Sequence, residues 1–173
     1  VLINGFNDNE IIDFIEFTKE LPISVRFIEF MPFDGNQWDK AKMVSYAQVM
    51  EYVNSNYDVD KVIRMQDAPN DTSKNYKIEG YKGSFAIISS VTNPFCDSCN
   101  RIRLTANGRL KNCLFSSSES DLLTPLREGK SIETIIEKAV QAKLKVRGGM
   151  DTMEKLEQPD LHGKNRSMIA IGG

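Results

Sequence analysis

A chain of 173 residues, 40% hydrophobic and 27% charged, can bury a core, which excludes extended disorder. Its formal net charge of -2 lacks the Lys and Arg excess needed to coat nucleic acid, and apolar runs such as residues 85–88 are too short to cross a bilayer, so neither nucleic acid nor membrane is an expected partner. No charged start leads into an apolar stretch as in a secretory leader, and three cysteines cannot all pair, so a reducing compartment fits best.

Residues 1–4 (Val-Leu-Ile-Asn) read as a strand; because the first residue is Val rather than Met, the chain is expected to be a piece of a longer protein. After a turn signal at residues 4–8, Ile11, Ile12, Phe14, Ile15 and Phe17 recur at helical spacing, with Asp8 as N-cap and an end near Leu21-Pro22. Residues 24–30 are a compact strand candidate, which completes a βαβ unit with parallel strands and a right-handed crossover. Sites in such folds gather at the carboxyl ends of strands, so residues 31–36 (Met-Pro-Phe-Asp-Gly-Asn) are a candidate active-site loop.

A second amphipathic helix is predicted over 44–57, with Val49, Met50 and Val53 on its apolar side, and residues 67–74 read as a loop. The pattern then changes to short β runs at 76–78, 84–89, 101–105 and 109–115, with Asn107-Gly108 as a hairpin turn between the last two. Ile132, Ile135, Ile136, Ala139 and Val140 predict a helix capped by Ser131, its end marked by Lys143, Lys145 and Arg147 before Gly148-Gly149. A polar tail finishes in Ile171-Gly172-Gly173. The second half therefore reads as a smaller α+β unit.

Cys96 and Cys99 form a C-x2-C after Pro94-Phe95, and Cys113 follows beyond the hairpin, which folds the third thiol back toward the first two. Such a set suits either tetrahedral zinc or an iron-sulfur cluster, depending on the fourth ligand. The single histidine, His162, lies in the tail without the spacing of a paired zinc ligand, and three thiolates with one iron left open explain the count better. Core cysteines, or a redox pair with a spare thiol, are the plainer alternative. Arg101 and Arg103 alternate on a predicted strand and so share a face; two guanidiniums there make an anion site suited to phosphate, or an ordinary solvated face. Arg26 interrupts an apolar strand, where a buried charge must be paired or face a cavity, unless it reaches solvent. Met31 at that strand's end reads first as core. Gly172-Gly173 is either a frayed end or a segment slim enough to enter a crowded pocket.

Residues 26–36 (Arg-Phe-Ile-Glu-Phe-Met-Pro-Phe-Asp-Gly-Asn), 95–106 (Phe-Cys-Asp-Ser-Cys-Asn-Arg-Ile-Arg-Leu-Thr-Ala), 110–115 (Leu-Lys-Asn-Cys-Leu-Phe) and the Gly-Gly end resemble the carboxyl-terminal half of the GTP 3',8-cyclase family, the radical S-adenosylmethionine enzymes that open molybdenum cofactor biosynthesis. The resemblance runs over essentially the whole chain. It implies an α/β fold: the last strands of a partial (β/α) radical-SAM barrel in residues 1–60, then a small α+β iron-sulfur domain in 61–173. It implies that Cys96, Cys99 and Cys113 hold a 4Fe-4S cluster whose open iron meets GTP, that Arg26, Arg101, Ile102 and Arg103 contact GTP, that Met31 touches S-adenosylmethionine, and that Gly172 and Gly173 assist the reaction.

S-adenosylmethionine and a second 4Fe-4S cluster would belong to the amino-terminal barrel half of the same protein, the chain's implied partner; a homodimer is compatible with the sequence. The family's amino-terminal C-x3-C-x2-C is absent, so this chain alone is expected not to turn over GTP. The wording of residues 31–36 is closest to eukaryotic members, which points to the mitochondrial matrix; a bacterial member would be cytoplasmic. A zinc- or cluster-stabilised module that binds nucleotide or protein without catalysis is the competing reading.

Overall fold

The computed structural model describes residues 1–158, 161 and 165–171. Gly172, Gly173 and His162 lie outside the described residues. The chain is mixed α/β and divides into two compact units, residues 1–31 with 39–99 and residues 32–38 with 100–173.

The first unit is built on a four-stranded sheet of β1 (Ser24–Ile28), β2 (Val62–Arg64), β3 (Lys74–Ile78) and β4 (Ser84–Ile88), in the order β1-β4-β3-β2. β1 and β4 are parallel and the other neighbours antiparallel. This sheet draws its strands from both sides of residue 60, because Val25 and Phe27 register with Phe85 and Ile87 and the four share one apolar face. Two helices, α1 (Ile11–Glu20) and α2 (Tyr46–Asn56), complete the core through Ile11, Ile15, Val49 and Val53. Ser45 caps α2 by a reciprocal arrangement with Gln48, a signal legible as Ser-x-x-Gln.

The structure overturns two local expectations and adds one strand. Residues 1–4 form no strand but only isolated bridges, Leu2 to Glu29 in parallel and Ile3 to Met43 in antiparallel sense. The turn that follows takes Ile3's backbone groups: its carbonyl accepts from Phe6 and Asn7 N–H, and its own N–H donates to Asn7 Oδ1. Asp8 does not cap α1; a 3-10 turn at Asp8–Glu10 precedes the helix and the Asp8 carboxylate accepts from Gly5 N–H instead. β2, which the pattern did not reveal, is three residues long and only partly covered, so it carries no alternation to read.

The second unit holds an antiparallel sheet of β5 (Arg103–Leu104), β6 (Arg109–Lys111) and β7 (Ser120–Asp121). The hairpin between β5 and β6 is present, with only Gly108 at positive φ (+71°); Thr105 O accepts from Gly108 N–H and Thr105 N–H donates to Arg109 O, a three-residue loop rather than a two-residue primed turn. Among the described residues the helices α3 (Leu123–Arg127), α4 (Glu133–Gln141), α5 (Met153–Leu156) and α6 (Met168–Ile171) follow. α4 sets Ala139 against Leu110 and Leu122, with Ile132, Ile135 and Ile136 packed beside them, and Ser131 Oγ accepts from Glu133 N–H at its start. The tail expected to be merely polar contains α5 and α6. No helix of the described residues is long and apolar enough to cross a membrane.

Candidate functional site

In the first unit, Cys96–Ser98 form a 3-10 turn closed by Cys99 N–H donating to Cys96 O at 3.1 Å. Both thiols are half-buried and neither is in a disulfide. The segment leading to them is tied down by Glu29, which follows β1 and is 2% exposed. Its Oε2 accepts from Val91 N–H at 2.7 Å and Thr92 N–H at 3.0 Å; its Oε1 accepts from Tyr46 N–H at 3.0 Å and from the Thr92 hydroxyl. One carboxylate therefore satisfies the first turn of α2 and the backbone just ahead of the cysteine turn. Sequence reading passed over Glu29, although it is a charged residue in the same apolar run that drew attention to Arg26.

Arg26 itself is exposed, not buried; it registers with Ala86, on the sheet face opposite Phe27 and Phe85. An arginine near a strand's start can carry its stem along the sheet and leave its charge in water. Met31 is buried, at 9% exposure.

In the second unit, Arg101 and Arg103 are half-buried while Ile102 and Leu104 are exposed, so the alternation expected of these residues is present although the strand ladder begins only at Arg103. The Lys143 ammonium donates to Arg101 O at 3.0 Å. Cys113, also half-buried and in no disulfide, lies two residues beyond β6, where its carbonyl accepts from Ser116 N–H. Its neighbours are fixed from below: Asn112 Nδ2 donates to Ala139 O on α4 at 2.8 Å, and Lys111, fully buried, donates to Ser116 O and to Asn165 Oδ1. Burial lowers the Lys111 pKa, and the nearby Glu119 carboxylate partly offsets this. The turn at residues 33–36 also belongs to this unit, where Phe33 stacks on Phe115 with ring centres 5.9 Å apart.

The expected ligands are thus divided, Cys96 and Cys99 in the first unit and Cys113 in the second. Among the described residues no group of three or more His, Cys, Asp or Glu side chains is arranged to hold a metal ion. In donor chemistry the three thiols, none tied up in a disulfide, fit an iron-sulfur cluster, which takes soft thiolate ligands.

The family described as Molybdenum Cofactor Synthesis C matches residues 23–148. The chain is 47% identical to the mitochondrial GTP 3',8-cyclase of Arabidopsis thaliana, over 100% of this chain and 43% of that protein. It is 40% identical to molybdenum cofactor biosynthesis protein 1 of Dictyostelium discoideum, over 99% of this chain and 27% of that protein. Against a GTP 3',8-cyclase of the bacterium Syntrophomonas wolfei the identity is 44%, over 79% of this chain and 42% of that protein. The chain accordingly spans less than half the length of these relatives.

Proposed function

The chain belongs to the Molybdenum Cofactor Synthesis C family, and on that premise we propose that it is the substrate-binding half of a GTP 3',8-cyclase, which converts GTP to (8S)-3',8-cyclo-7,8-dihydroguanosine 5'-triphosphate by radical S-adenosylmethionine chemistry. The observation that carries this reading is that relatives named GTP 3',8-cyclase, from a plant and a bacterium, align along 100% and 79% of the chain. In this reading β1 and α1 close a partial (β/α) barrel whose other strands, with S-adenosylmethionine and its own 4Fe-4S cluster, are supplied by an amino-terminal half. A eukaryotic member would work in the mitochondrial matrix, as the name of the plant relative supports.

Cys96, Cys99 and Cys113 are the residues that would hold the substrate-side 4Fe-4S cluster. When bound, such a cluster supplies an iron with no protein ligand, open to the guanine of GTP. The chain's own residues do the rest. Arg101 and Arg103 provide fixed forks of donors for an anionic substrate. Ile102 between them is exposed and free to contact the nucleotide. Arg26, exposed on β1, is a further donor, and Met31 is the S-adenosylmethionine contact. Gly172 and Gly173 act on the substrate from the chain's end. With no cysteines left for a radical-generating cluster, the chain alone binds GTP without turning it over.

The test is anaerobic reconstitution with iron and sulfide, followed by electron paramagnetic resonance of the reduced protein with and without GTP. A 4Fe-4S signal that shifts on GTP addition and is lost in Cys113→Ala is expected. A colourless, zinc-loaded protein with no response to GTP would sink the reading and leave a binding module without catalysis.

A further inference from the structure

Asn165 lies in the polar stretch between α5 and α6 yet is fully buried. Its Oδ1 accepts from Lys111 Nζ at 2.9 Å, its Nδ2 donates to Leu114 O at 3.1 Å, and its backbone carbonyl accepts from Asp34 N–H at 3.2 Å. Two of these three partners flank Cys113, and the third is in the turn at residues 33–36. The next residue, Arg166, donates through Nε and Nη2 to the two carboxylate oxygens of Glu119 at 2.5 and 2.7 Å, the bidentate geometry that makes such pairs directional. A tail with only solubility to provide would leave its amides in water, because burying them demands a complete set of partners. Here the partners are supplied by β6, the segment after it and the turn at residues 33–36.

We propose that Asn165 and Arg166 form a latch with Lys111, Leu114 and Glu119 that anchors the tail beside the Cys113 turn and so sets the position from which the chain's last residues reach the substrate. This rests on the function proposed above. The latch residues are positioning residues: they act through the tail and the cysteine turn, not on the reacting atoms.

The experiment compares wild type, Arg166→Ala, Arg166→Lys and Asn165→Ala in the full-length protein that carries this chain, loaded with its clusters. Hydrogen exchange of the amides of residues 167–171 and the kcat and KM for GTP are both measured. Loss of the charge-assisted pair in Arg166→Ala is expected to raise exchange about tenfold and lower kcat about tenfold with KM unchanged, while Arg166→Lys recovers part of both. Asn165→Ala should act in the same direction and further; if it does not fold, Arg166→Ala decides. Exchange in Arg166→Ala equal to wild type overturns the latch, and faster exchange with unaltered kcat overturns its positioning role. If wild type forms no product from GTP, the functional reading falls and the exchange measurement still decides whether the latch exists.

Discussion

Glu29 accepts four hydrogen bonds from the start of α2 and from residues 91 and 92 while almost wholly buried. Glu29→Ala would take the carboxylate acceptor from the buried Val91 N–H and from Thr92 N–H, leaving Tyr46 N–H only its longer bond to Thr92 Oγ1, an expected loss of about 3 kcal/mol in urea unfolding. Glu20 makes an ion pair with Lys82 in which both side chains are more than half exposed, and Glu20→Ala should change stability by less than about 0.5 kcal/mol in the same assay. Equal effects of the two substitutions would refute the ranking. Gly148 carries another single-residue constraint. Its φ is +63°, and an added Cβ would stand 2.9 Å from Ser116 N, in the backbone beside the Cys113 turn. Gly148→Ala therefore combines a strained backbone with a collision that only main chain could relieve, and should cost at least about 2 kcal/mol. A thermal midpoint equal to wild type would show that Ser116 moves aside freely.

Of the three longer helices, α2 owes its start to side chains. The α2 capping box is made wholly by Ser45 and Gln48, so Ser45→Ala should destabilise the first unit by about 1 kcal/mol, read as a lower urea midpoint. The loop before β3 is held in another way. Asp67 accepts from Arg64 and from Asn75, whose side chain also donates to Asp71. The hydrogen bonds from Arg64, then those from Asn75, hold the Asp67 carboxyl well below the usual carboxylate range against the opposing effect of burial. Below the ordinary value of 3.8 the unfolded chain takes up a proton that the folded carboxylate still refuses, so stability is complete above that pH and declines as pH falls through it. Asp67→Asn should flatten the acid side of the stability profile; an unchanged profile would mean that other carboxylates govern it.

At the scale of the whole molecule, the proposed cluster would be a ligand of the folded state only, so the reconstituted protein should unfold at a higher denaturant concentration than the chelator-treated one. Coincident transitions would argue against a structural contribution from the metal. Much of the frame behind this prediction was legible in sequence. Period and composition located α1, α2, α4, β1, β3, β4 and the hairpin, because apolar spacing and the Asn107-Gly108 signal are local properties. The half-burial of Arg101 and Arg103 against exposed Ile102 followed from the same alternation. Where sequence reading failed, distant partners decided. β4 joins β1 because Phe85 and Ile87 meet Val25 and Phe27 across about sixty residues of chain, which no local pattern records. Arg26 and Glu29 are both charges in one apolar strand run, yet one lies open and the other is buried under the donors of residues 46, 91 and 92. The same holds for Lys111 and Asn165, polar residues that are fully buried because each supplies the other's partner. Residue chemistry, three thiols and two alternating arginines, and the elements that carry it are written in local sequence. Which charges are buried is settled by folding, because burial of a polar group depends on partners that chain order does not specify.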